Sequence, residues 1–133
     1  MRYLRYVLVL TIIISVAFTA CHKDAKVTVS SAQVTVADTG KTLTFTTGQT
    51  FTVTLGNPGD GDYSFNTWQY DDSVLKLDSH TYTPPANPQD LGNYGTDSWQ
   101  FTTIINVTTA LKIMASQNAA NTVTMFSGTI NVN

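Results

Sequence analysis

The 133-residue chain contains no glutamate, a single cysteine, two histidines and only seven lysines and arginines together. Glutamate is among the good helix formers, and its absence leaves threonine, valine, isoleucine, phenylalanine and tyrosine to set the local preference. Those residues suit a pleated, half-buried surface, so the composition is that of an all-β protein. One cysteine, Cys21, allows no disulfide within the chain, so any core must hold by packing alone. So few basic residues leave no footprint for nucleic acid. Catalysis lacks its parts as well. His22 and His80 are the two histidines, no serine sits in a glycine elbow, and neither Ser73 nor Ser98 has a base beside it in the pattern that acyl transfer requires. No enzyme activity, catalytic residue, cofactor or metal is expected, and His80 reads as a lone surface side chain.

What the chain does have begins at its N-terminus. Arg2 and Arg5 precede an apolar run from Val7 to Phe18, which closes with Phe18-Thr19-Ala20-Cys21. A basic start, a short apolar segment and small residues form a secretory signal peptide, and the run is shorter than the ~20 residues a spanning helix needs. Small residues leading straight into cysteine resemble the lipobox of bacterial lipoproteins. That resemblance implies cleavage before Cys21, acylation of its thiol and new amino group, and a lipid membrane as partner. The chain then divides into a signal peptide at 1–20, a lipidated tether at 21–25 and one domain at 26–133. His22-Lys23-Asp24 resembles the sorting signal of outer-membrane lipoproteins, so the expected location is the cell envelope, lipid-anchored at the outer membrane. Beyond residue 20, five lysines face nine aspartates, a balance of 5 − 9 = −4.

Alternation of apolar and polar residues marks the strands. It runs through Lys26 to Val29, Gln33 to Val36, Thr42 to Phe45, Thr50 to Leu55, Tyr63 to Trp68, Val74 to Leu77, Trp99 to Val107, Leu111 to Ala115 and Asn121 to Val132. A tight turn at Thr108-Thr109-Ala110 is expected to join two of these. Phe51, Val53, Leu55, Phe65 and Trp99 are the expected core. Pro84, Pro85 and Pro88 cannot donate ladder bonds, which makes Thr83 to Tyr94 a loop. Short strands spaced by turn signals in one small domain predict an immunoglobulin-like β-sandwich of seven or eight strands.

Asp60 and Asp62, with Asp71 and Asp72, could offer hard oxygen ligands to calcium, but aspartate also favours turns through bonds to its own backbone. A more specific pattern is a pair of loops. A strand ending in Leu55 leads into Gly56-Asn57-Pro58-Gly59-Asp60-Gly61-Asp62, and later Leu91-Gly92-Asn93-Tyr94-Gly95-Thr96 precedes Trp99 and Phe101. From Thr42 to Val132 this order resembles the chagasin family of cysteine-protease inhibitors, in which an N-P-T-T-G loop, a G-x-G-G loop and an R-P-W motif stand at one end of an immunoglobulin-like sandwich and wedge into the cleft of papain-like proteases. The resemblance implies protease contacts at Asn57, Pro58, Gly59, Asp60 and Gly61, at Gly92, Asn93, Tyr94, Gly95 and Thr96, and at Ala115, Ser116 and Gln117. It also implies that Asn57 to Asp62 and Gly92 to Thr96 lie side by side with Ser116 to Ala120 next to them. This chain departs from the pattern in three ways: Gly59 and Asp60 replace two threonines, Tyr94 replaces a glycine, and Ala115-Ser116-Gln117 replaces R-P-W. The alternative is a surface lipoprotein that binds a polysaccharide or an envelope partner through exposed aromatics such as Tyr63, Trp68, Tyr70, Tyr82 and Tyr94, without protease inhibition.

Overall fold

The computed structural model describes residues 33–59, 62–118 and 120–133. The signal peptide, Cys21 with its tether, the strand expected at Lys26 to Val29, Asp60 and Gly61 lie outside the described residues. Eight strands follow in order: β1 (Gln33–Val34), β2 (Thr42–Phe45), β3 (Thr50–Gly56), β4 (Ser64–Gln69), β5 (Leu75–Thr83), β6 (Thr96–Thr103), β7 (Thr108–Asn118) and β8 (Asn121–Val132). They form two four-stranded sheets, ordered β1-β3-β6-β5 and β2-β8-β7-β4. The expected immunoglobulin-like β-sandwich is what the chain adopts.

Alternation fixes which side of each strand is buried. In β3, Phe51, Val53 and Leu55 point inward between exposed or half-buried threonines, and in β6 Asp97, Trp99, Phe101 and Thr103 do the same. Phe51 stacks between Phe45 and Phe101, with ring centroids 4.3 and 5.5 Å away, so the two sheets meet through aromatic faces. Full burial of such side chains contributes on the order of 1.5–3 kcal/mol each, which is how the domain holds without a disulfide. Trp99 is fully buried, as expected from the sequence, while Phe65 is half-buried against the core.

Several boundaries differ from the sequence reading, each for a local reason. The strand expected to reach Val36 ends at Val34 because Asp38 accepts the backbone N–H of Thr35 (3.0 Å) and the Lys41 ammonium (3.0 Å), winding 36–38 into a single 3-10 turn. Val36 is consequently 65% exposed. Thr108 to Ala110 are not a turn but the start of β7, paired with Asn131 to Thr129 of β8. The chain crosses from one sheet to the other at 104–107 instead. Strand β5 runs on through His80 to Thr83, and a bulge between Leu77 and Ser79 changes which side chains face inward.

The strand directions create one end rich in loops. Gly56 and Thr83 both pair with Thr96, and Ser64 pairs with Ser116. Connections 57–63, 84–95 and 119–120 therefore leave from the same end of the sandwich. Strand β1 runs parallel to β3, with Gln33 beside Thr52 and Val34 beside Val53, so the chain enters the sheet from the opposite end.

Candidate functional site

The loop end is assembled from both sheets. The first loop, 57–63, crosses from β3 to β4; the second, 84–95, joins β5 to β6; the third is the hairpin between β7 and β8. The first two lie side by side and are bonded to each other. The Asn57 backbone N–H donates to the Gly95 carbonyl oxygen at 2.9 Å. Tyr94 lies against Gly59, where a Cβ would collide with the Tyr94 Cβ, Cγ and Cδ1 atoms, so only glycine admits this approach. Gly95 is held at φ +82°, and a Cβ there would collide with the Thr83 carbonyl oxygen. Tyr82 closes the second loop by donating its hydroxyl to the Tyr94 carbonyl at 3.0 Å.

Beneath these loops sits a polar cluster centred on one buried carboxylate. Asp97 is 3% exposed. Its Oδ2 accepts a bond from Asn57 Nδ2 at 2.7 Å and its Oδ1 is bonded to His80 Nε2 at 2.8 Å. The other end of the Asn57 amide is used too, because its Oδ1 accepts the Gly59 backbone N–H at 2.9 Å. The His80 ring stacks on Trp99 with 4.7 Å between centroids and 5° between planes, and meets Trp68 edge-on at 5.2 Å. His80 is exposed, as expected, but it is not alone. The β5 bulge moves it to the inward face opposite Trp99, where it meets a buried carboxylate. Asp97 was a signal open to sequence reasoning, since it occupies an inward position in an otherwise apolar alternation, and a carboxylate there requires partners.

The remaining expected site residues divide. Gly92, Asn93, Tyr94 and Thr96 are exposed, and Leu91 at the tip of the second loop is fully exposed. Pro58 is half-buried, and Gly59 is exposed at the rim. A groove of about 390 Å³ runs between the first two loops, bordered by Asn57, Gly59, Tyr82, Pro85, Leu91 and Tyr94. Ala115 and Ser116 are different: both are buried within β7, and the Ser116 hydroxyl donates to Asn66 Oδ1 at 2.7 Å, tying the third hairpin to the exit of the first loop. Their side chains are not available as contact surface. Strand β7 continues to Asn118, whose Oδ1 accepts the backbone N–H groups of Ala120 and Asn121, both at 3.0 Å. The third loop is therefore a tight hairpin, and Gln117, Asn118 and Ala120 form its rim.

Among the described residues, no three His, Cys, Asp or Glu side chains converge as a metal site would require. Of the four aspartates considered together as calcium ligands, the three that are described are split between the two ends. Asp62 lies in the first loop, whereas Asp71 follows β4 at the far end and accepts bonds from the Ser73 hydroxyl and backbone N–H. That turn-forming contact holds the Asp71 carboxyl below its ordinary pKa.

Residues 44–131 match the model of the family described as chagasin family peptidase inhibitor I42. The chain belongs to this family. Chagasin-family members are inhibitors of peptidases and not enzymes. Among solved structures, the chain is similar to a crystal structure of a cysteine protease inhibitor from Entamoeba histolytica, with a TM-score of 0.63 at 14% identity over 76% of this chain and 94% of that one. It is also similar to the solution structure of amebosin, with a TM-score of 0.56 at 20% identity over 76% of this chain and 96% of that one. At these identities the likeness is one of fold. A search of curated proteins finds no match. The chagasin-family match begins in β2 and ends in β8, so it spans both sheets and all three loops of the candidate site.

Proposed function

We propose that this chain is a membrane-anchored inhibitor that inserts the loop end of its sandwich into the cleft of a papain-like cysteine protease and blocks it without being cut. The observation that carries this reading is the convergence of loops 57–63 and 84–95 at one end, locked to each other by the Asn57–Gly95 backbone bond and the Tyr94–Gly59 contact. A surface ordered before binding loses less freedom on association, which favours an inhibitor over a flexible substrate. The contacts would come from Pro58, Gly59 and Asp60 with Gly61 of the first loop, from Leu91 to Tyr94 of the second and from Gln117 to Ala120 of the third. Anchoring through acylated Cys21 fits the chain direction, since β1 enters from the end opposite the loops and would leave them facing away from an outer-membrane surface. Two or more acyl chains suffice for stable attachment.

A titration of papain with the purified full chain in detergent tests the reading. Uncut inhibitor and lost activity are expected; full papain and cathepsin activity at about 10 μM inhibitor, well above a micromolar dissociation constant, rejects it. Replacing Cys21 with Ser should release the protein from membranes, and retention there would remove the lipid anchor from the proposal. The exposed faces of Tyr82 and Tyr94 beside the 390 Å³ groove favour a second reading, a lipoprotein that binds an envelope polysaccharide. Trp68 and Tyr70 no longer contribute to it because both pack against the core. A polysaccharide binder would leave the papain titration flat.

A further inference from the structure

We propose that Asn57 is not a protease contact but the upper member of a three-residue brace, Asn57–Asp97–His80, whose work is to hold the first loop in its binding shape; His80 and Asp97 are then positioning residues for inhibition. This rests on the inhibitor reading of the loop end. The Asn57 side chain spends both of its polar ends on the chain itself, Oδ1 on the Gly59 N–H and Nδ2 on Asp97, so little is left to offer a partner. The first bond folds the loop back toward Gly59, against which Tyr94 lies. The second ties that fold to a carboxylate inside the sandwich, 40 residues away in sequence. Asp97 in turn is bonded to His80, an exposed residue of the edge strand β5 whose ring is stacked on buried Trp99 and edged by Trp68. A charge-assisted bond is shorter and stronger than a neutral one, and a buried carboxylate left with one donor missing is costly. The loop is thereby held by the core, through side chains that come from β5 and β6 and not from the loop.

The hydrogen-bond pattern permits a reciprocal exchange. In the double variant Asn57→Asp with Asp97→Asn, the new carboxylate can still accept from Gly59 and the new amide can donate to it while accepting from His80, so every bond is kept with the charge moved by one position. Each single variant loses the match: Asn57→Asp sets two carboxylates against each other, and Asp97→Asn removes the charge. The measurements on the purified full chain are amide hydrogen exchange at Asn57 and Gly59, and inhibition of papain. Each single variant should lose protection at these two amides by about tenfold and weaken inhibition by a similar factor, while amides of Val53 and Phe101 in the sheet stay protected; the double variant should return both readouts to within about threefold of the parent. A double variant no better than the worse single variant, or single variants with unchanged protection at Asn57 and Gly59, overturns the brace. If a single variant fails to fold, His80→Gln against His80→Ala decides instead, because glutamine keeps a donor for Asp97: equal loss of loop protection in the two overturns the proposal, and retention in His80→Gln alone supports it. If the parent chain leaves papain active, the inhibitor reading fails by itself, and the exchange data still decide whether the brace holds the loop.

Discussion

Strand β6 buries a polar side chain at each end of the sandwich, and the two are served differently. At the far end Thr103, 1% exposed, donates its hydroxyl to the Thr46 carbonyl at 2.7 Å and accepts the Gln49 backbone N–H at 3.0 Å. All its partners are backbone groups of one short turn, and no charge is involved. At the loop end Asp97 is bonded to two side chains, Asn57 and His80, that come from different segments. A neutral hydroxyl suffices to close a turn that has only to connect two strands. Tying a longer loop to the sheet uses a carboxylate and two side-chain partners, one from the loop and one from the neighbouring strand.

The largest effect tests what lies between the two anchors. Trp99 is fully buried midway along β6, stacked on His80 and met edge-on by Phe65 at 4.8 Å. Trp99→Ala should cost about 3–5 kcal/mol in denaturant unfolding. Among the described residues its indole N–H has no hydrogen-bond partner, so Trp99→Phe should lose far less, by about 1–2 kcal/mol, because only volume is removed and no bond is broken. A loss in Trp99→Phe well above about 2 kcal/mol would mean that the indole nitrogen has a partner in solution.

The ends themselves come next. Asp97→Ala strands the donors of Asn57 and His80 and should cost about 3 kcal/mol, with hydrogen-exchange protection lost first at the loop end. Thr103→Val keeps shape and leaves the Gln49 N–H and the Thr46 carbonyl with only their mutual bond of 3.0 Å, for about 1 kcal/mol, with protection lost around 46–49 and the loops untouched. If Thr103→Val loosened the Asn57 amide as much as Asp97→Ala does, the two ends would be one cooperative unit and the contrast between them would collapse.

How much of this was readable beforehand follows from where period two survives. β2, β3 and β8 keep strict punctuation at their ends and were legible almost to the residue, as were the loop at 84–95 from its prolines and the two glycine-bearing loops of the site. Trp99 and Phe101 were legible as core for the same reason. The brace was not. Counting by twos from Leu75 and Leu77 sends His80 outward, and only the bulge between Leu77 and Ser79 restores it to the face of Asp97. A bulge adds one residue to one strand and inverts the parity of everything after it, and it leaves no composition signal here. The same device between Phe65 and Thr67 turns Trp68 toward Ile113 and the core, which removes it from the exposed aromatics. The burial of Ala115 and Ser116 was not legible either, because β7 simply continues through them to Asn118.

The smallest effect separates charge from burial. Asp38 resembles Asp97 in accepting bonds on both oxygens, from the Thr35 N–H and hydroxyl and from the Lys41 ammonium, but it stands at the surface with Lys41 more than half exposed. The Thr35 backbone bond, and after it the Lys41 side chain, hold its carboxyl below the ordinary carboxylate range. Because its folded pKa lies below the unfolded one, its contribution is present above about pH 4 and disappears as the pH falls through the folded value. Asp71, bonded by Ser73, and Asp78, bonded by the Thr102 hydroxyl and paired with Lys76, are shifted the same way and lose their contributions over the same acid limb. Asp38→Asn should therefore flatten the fall in stability below about pH 4, and cost no more than ~0.5 kcal/mol at pH 7, since an exposed pair is screened by water. Chemical unfolding of parent and variant across this range measures both numbers. A loss at pH 7 as large as that of Asp97→Ala would show that charge alone, without burial, sets the value of these carboxylates, and the distinction drawn between the two ends of β6 would then rest on the wrong variable.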